Sequence, residues 1–186
     1  ALTTDQVTGL NTRTVQALST EAITALTTGQ IEVINTAGLA ALTTSQVKAL
    51  STDAVIALST YQVANLTTGT MAALSTAQVA AIETTDIQAL STKQLAGLAT
   101  GTVSALTTDQ VVALTTYQIG NLSTATLKAL SSDQIAAIET TDIQALTTGQ
   151  LAGLVSSTVS ALTTDQVIAL TTYQVSNLST ATLKAL

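Results

Sequence analysis

Cysteine, histidine, proline, tryptophan and phenylalanine are all absent from this 186-residue chain; three tyrosines are its only aromatics, and charged residues make up 9%. Without cysteine there are no disulfides and no thiolate metal sites, which fits any redox compartment. Without histidine, the many Thr and Ser hydroxyls lack the usual base that would turn one into a nucleophile, and the commonest metal and haem ligand is missing. The five basic residues, Arg13, Lys48, Lys93, Lys128 and Lys184, lie too far apart in sequence to neutralise a run of phosphates, so nucleic-acid binding is not expected. No apolar run nears the roughly 18 residues needed to cross a bilayer, and no stretch reads as a signal peptide. Hydrophobic residues at 46% and a net charge of −6 also exclude a disordered polyelectrolyte.

What is present is one octad, written without insertion or deletion 23 times from Ala1, with Ala185-Leu186 opening another. Ala105 to Val112, Ala-Leu-Thr-Thr-Asp-Gln-Val-Val, is representative. The second position is always Leu or Ile, the seventh Val, Ile, Leu or Met, the fourth Thr or Ser, and the first usually Ala. Positions five and eight accept Asp, Arg, Gly, Tyr, Lys and others. The pattern predicts two buried positions, one small position and two exposed ones.

Leu106-Thr107-Thr108-Asp109-Gln110-Val111 reads as the start of a helix. Thr107 with Gln110 three residues on is a capping box, and Leu106 with Val111 is a hydrophobic staple. Asp5, Asp53, Asp109, Asp133 and Asp165 fall in first turns, where the helix dipole favours a carboxylate. Because the next start signal arrives one octad later, each helix must stop within about two turns. One continuous helix is excluded, since apolar residues spaced five and then three do not hold one face at 3.6 per turn. The expected fold is all-α, a solenoid or superhelix of very short helices, one per octad. The alternative is a β-solenoid, which would need a bulge or corner in every octad to bring the second and seventh positions onto one face.

A longer period overlies the octad. From Ala57 the sequence nearly repeats every seven octads, marked by Tyr61, Tyr117 and Tyr173, by Asn65, Asn121 and Asn177, and by Ala-Ile-Glu-Thr-Thr-Asp-Ile-Gln at 81 and 137. The first seven octads, Ala1 to Ile56, are more divergent and carry Asn11 and Asn35 at the cap position; such irregularity speaks against an engineered consensus array. Sixth-position residues alternate between Gln and others, hinting at a two-octad unit, but an odd block of seven conflicts with a strict one, and the number of octads per turn stays open. Residues 1–186 are expected to form a single uninterrupted array, part of a longer one. A lone octad buries too little to offset its ordering entropy, so neighbouring repeats are the necessary partners.

Candidate sites are few. Glu83 with Asp86, repeated as Glu139 with Asp142, offers carboxylates for Ca²⁺, but a calcium site gathers more oxygens around a tight Gly turn, and replacement of Thr and Gln at a helix start explains the pair better. The tyrosines stand at exposed-type positions and could anchor a partner, or could pack over small neighbours. Lys93, Lys128 and Lys184 read as solvated charges. No residue is assigned to catalysis, cofactor or metal.

Tracts such as Ala-Leu-Thr-Thr-Asp-Gln-Val-Val-Ala-Leu-Thr-Thr-Tyr-Gln-Ile at 105–119 resemble the octad arrays of very long Gram-negative secreted proteins of the adhesin type, some of them labelled haem utilisation or adhesion. The resemblance implies export and use at the cell surface, to which the acidic, Lys-poor composition also leans. Met71, the only methionine, and the missing histidines give the haem label no support. The expected role is a non-enzymatic stalk, spacer or scaffold, with self-association or cell-surface contact possible. The alternative is an ice- or surface-binding module using rows of Thr, to be decided by whether the fourth-position side chains face an open surface or point inward.

Overall fold

The computed structural model describes residues 2–98, 100–154 and 156–186; Ala1, where the first octad opens, lies outside them. Among the described residues it is a solenoid of 23 helices of four to six residues, one per octad, from α1 (Thr4–Thr8) to α23 (Thr180–Leu183), with no strand. The all-α expectation holds and the β-solenoid is set aside.

The third octad position is the N-cap. In α14 (Thr108–Val112) the Thr107 hydroxyl accepts from the Gln110 N–H at 3.1 Å, and Gln110 Oε1 accepts from the Thr107 N–H at 2.8 Å. Asn11 and Asn35 cap in the same way, each accepting from the N–H three residues on. At the other end the chain leaves the helix at the first or second position, and the second-position N–H donates to the seventh-position carbonyl, as from Leu114 to Val111 at 3.2 Å. The octad therefore contains one complete helix with both ends satisfied.

Val7 to Leu170 bound a continuous core built from second- and seventh-position side chains, the seventh nearly inaccessible (Val7, Val47, Val79 and Val111 all at 0%). Each coil is covered by the next. Helices pack against the third helix along, α1 on α4 (Thr28–Val33), α8 (Thr60–Ala64) on α11 (Thr84–Ala89), and α15 (Thr116–Gly120) on α18 (Thr140–Ala145). Hydrogen bonds joining successive coils span 25 to 31 residues, and a span of 28 recurs along the array. That recurring span is three and a half octads, so two coils take up the seven-octad super-repeat. The two-octad unit is thus not the coil: neither two nor three octads close a turn, and the half octad left over at each turn is cancelled at the second.

Candidate functional site

The recurring sixth-position glutamines are turned to holding the array together. Every sixth-position glutamine except Gln6 is buried, which the capping-box reading did not anticipate; Gln110 is 2% exposed. Its Oε1 closes its own helix start, while its Nε2 donates to the carbonyls of Val79 at 2.9 Å and Ile82 at 2.6 Å in the preceding coil. Those carbonyls sit at the corner between α10 (Thr76–Ala80) and α11, where helix ends expose acceptors. One planar amide thus ties a helix start in one coil to a corner of the coil below. The same bridge is made by Gln46, Gln62, Gln78, Gln94, Gln118 and others up to Gln174. A signal for this was present in the sequence: a capping box accepts Glu or Gln, yet the sixth position never holds Glu. Only the amide has hydrogens to give to the coil below.

Where glutamine is replaced, the bridge changes. Thr70 and Thr126 share a hydroxyl–hydroxyl bond with their caps, at 2.9 Å to Thr67 and 2.8 Å to Ser123. Asp86 and Asp142 are also buried, each 2% exposed, and stand at the third position of α11 and α18. Burial pushes the Asp86 carboxyl above its usual range, opposed by a hydrogen bond from the Thr60 hydroxyl of α8 and reinforced by the negative charge of Glu83. Glu83 and Glu139 occupy the cap positions but make no side-chain cap bond and are exposed. The sequence-level pair therefore splits: one carboxylate goes into the core and the other to solvent. No group of three or more acidic side chains able to hold a metal occurs among the described residues.

The three tyrosines are 71, 73 and 71% exposed, so they do not pack over small neighbours. Fourth-position threonines, the most uniform polar column, lie one residue past the cap and are mostly exposed, Thr60, Thr84, Thr108, Thr116 and Thr140 among them. Lys93, Lys128 and Lys184 are exposed. No described helix is long and apolar enough to cross a membrane.

These features define a class: a repetitive solenoid of very short helices, stapled coil to coil by buried amides. The family model of the ALTTAQ repeat matches residues 31–68, 79–116 and 135–172, more than half of the chain. The chain belongs to the ALTTAQ repeat family. All three matches begin at a seventh position, Ile31, Val79 and Ile135, in one octad phase. A search of curated proteins finds no match.

Proposed function

We propose that the chain is a structural segment, an extended spacer or scaffold within a large bacterial surface or secreted protein, acting without catalytic chemistry of its own. The observation that carries this reading is the coil-to-coil bridge, repeated at the same span over an unbroken core. Such an array gains length by adding repeats while its cross-section stays the same, since each coil contacts only its neighbours. Small-angle X-ray scattering of the chain beside a variant lacking residues 57–112 tests it. The longest dimension should shorten by two coils, about 16–20 Å at ordinary helix spacing, with an unchanged cross-sectional radius. A variant that collapses to a globule would refute a spacer. For the surface role, protease treatment of intact producing cells should remove the tract.

A second reading draws on the fourth-position threonines, most of which are exposed. Rows of hydroxyls one helix diameter apart, about 8–10 Å, would have to match the ligand lattice. Measurable thermal hysteresis at the freezing point would favour this reading over the spacer.

A further inference from the structure

The two-coil super-repeat has a geometric effect: whatever recurs every seven octads falls on one side of the rod. On one such side α8 packs on α11 and α15 on α18, while side chains of α15 and α22 (Thr172–Ser176) bridge back to α11 and α18. The Thr60 hydroxyl of α8 faces the buried Asp86 carboxyl of α11, the two helices being packed together. Gln118 of α15 donates to the Ile87 carbonyl of α11 at 2.8 Å. The Gly120 end of α15 approaches α18 so closely that a Cβ there would lie 3.0 Å from the Ala145 carbonyl. Gln174 of α22 donates to the Ile143 carbonyl of α18 at 2.8 Å.

The outward residues of this column at the second helical position are Tyr61, Thr85, Tyr117, Thr141 and Tyr173, all exposed. All aromatic residues of the chain are therefore on one side, at every second coil. In the coils between them stand Glu83 and Glu139. Every other described cap side chain from Thr3 to Ser179 bonds its own helix, whereas these two carboxylates do not. Glu83 shares an open groove of about 400 Å³ with Asp109, lined by Thr84, Thr85 and Thr107. The five helices contain no Lys or Arg. Exposed aromatics and a broken capping rule with no internal compensation mark a surface selected for something other than folding.

We propose that this face docks an extended basic polypeptide segment, its Arg or Lys side chains lying over the rings of Tyr61, Tyr117 and Tyr173 and pairing with Glu83 and Glu139. A cation over an aromatic face is attracted by the ring quadrupole, and the carboxylates one coil away supply the opposite charge. Single exposed ion pairs are weak, but anchors repeated along a rod act together on one ligand. The anchor spacing, two coils or about 16–20 Å, suits an extended peptide of about five or six residues between contacts. This inference does not depend on the spacer role.

The test uses the full chain and fluorescein-labelled nona-arginine, read by fluorescence anisotropy at low and physiological ionic strength. The triple variant Tyr61→Ser, Tyr117→Ser, Tyr173→Ser keeps the net charge and should bind at least about tenfold more weakly, with an unchanged melting curve because the rings are exposed. The double variant Glu83→Gln, Glu139→Gln should weaken binding and flatten its salt dependence. Removing two carboxylates elsewhere, by Glu21→Gln with Asp133→Asn, should change binding less than twofold. Equal affinity of the wild type and the tyrosine variant, or equal losses from the two carboxylate pairs, would reduce the effect to general charge and overturn the proposal. So would a wild-type chain that ignores the peptide but sediments as a dimer through these tyrosines, since a second copy would then be the occupant.

Discussion

Gln118 and Ile87 lie 31 residues apart, yet the glutamine Nε2 donates to the isoleucine carbonyl at 2.8 Å while its Oε1 accepts from the Thr115 N–H at 2.8 Å. The same side chain also reaches Leu90 at 2.7 Å. A residue that closes its own helix start and anchors it on the coil below makes local and long-range order a single event.

The two functions separate in a substitution that keeps the acceptor and removes the donor. Gln110→Glu retains a carboxylate oxygen for the Thr107 N–H but sets negative charge against the Val79 and Ile82 carbonyls. A loss of about 3 kcal/mol or more is expected in urea unfolding followed by circular dichroism. Gln6→Glu, in an exposed capping box of the first coil, should change stability by less than about 0.5 kcal/mol. Similar losses at the two sites would show that the amide works through capping alone.

The reverse substitution repairs a gap. In Asp86→Gln the new amide stands to Leu58 and Val55 in the register that Gln78 keeps to Leu50 and Val47, both of which it bridges. It removes a buried carboxylate as well, so a gain of about 1–3 kcal/mol is expected. A melting temperature at or below that of the wild type would contradict the bridging register.

Asp86 also gives a pH signature. Its folded pKa is raised by burial, with Glu83 at the cap of its own helix reinforcing the shift; the titratable groups on the helices packed against α11 are Tyr61 on α8, Asp109 on α14 and Tyr117 on α15. The folded state then holds this proton more tightly than the unfolded chain, so stability falls as pH rises from the ordinary carboxylate range through the raised folded value, and the whole penalty is present above it. Asp86→Asn should flatten this part of the stability–pH profile. An unaltered slope would place the titration elsewhere.

Two glycines, Gly29 in the first turn of its helix and Gly120 at the end of its own, should respond oppositely. A Cβ on Gly29 meets nothing within 4 Å, so Gly29→Ala should stabilise by about 0.5–1 kcal/mol through lower unfolded-state entropy. At Gly120 it would meet the Ala145 carbonyl at 3.0 Å, a backbone atom of the stacked helix, and Gly120→Ala should gain nothing or lose stability. Thermal melts of the two variants decide the matter.

The core and surface assignments are checked by a contrasting pair. Leu106 is 6% exposed, and Leu106→Asp should abolish at least the local coils by burying an unpaired charge. Tyr117, at 73% exposure, should tolerate Ala with folding almost intact. Hydrogen exchange at the amides of α14 and α15 reports both.

Much of the architecture was legible in the octad alone. Thr107, Gln110, Leu106 and Val111 mark a helix start and a buried pair because capping and staple contacts are made within a few residues, and the sequence places both partners in the same window. The coil length was not legible. Closure after three and a half octads depends on how each helix settles against another three octads away, and nothing inside an octad measures that angle. For the same reason the sequence could name Tyr61, Tyr117 and Tyr173 as a periodic set without placing them on one side, and could pair Glu83 with Asp86 without separating a solvated carboxylate from a buried one. Repetition fixed the local element, because its interactions are short in sequence; only the stacking of coils decided which repeats are neighbours, because those interactions exist between residues that local chemistry never brings together.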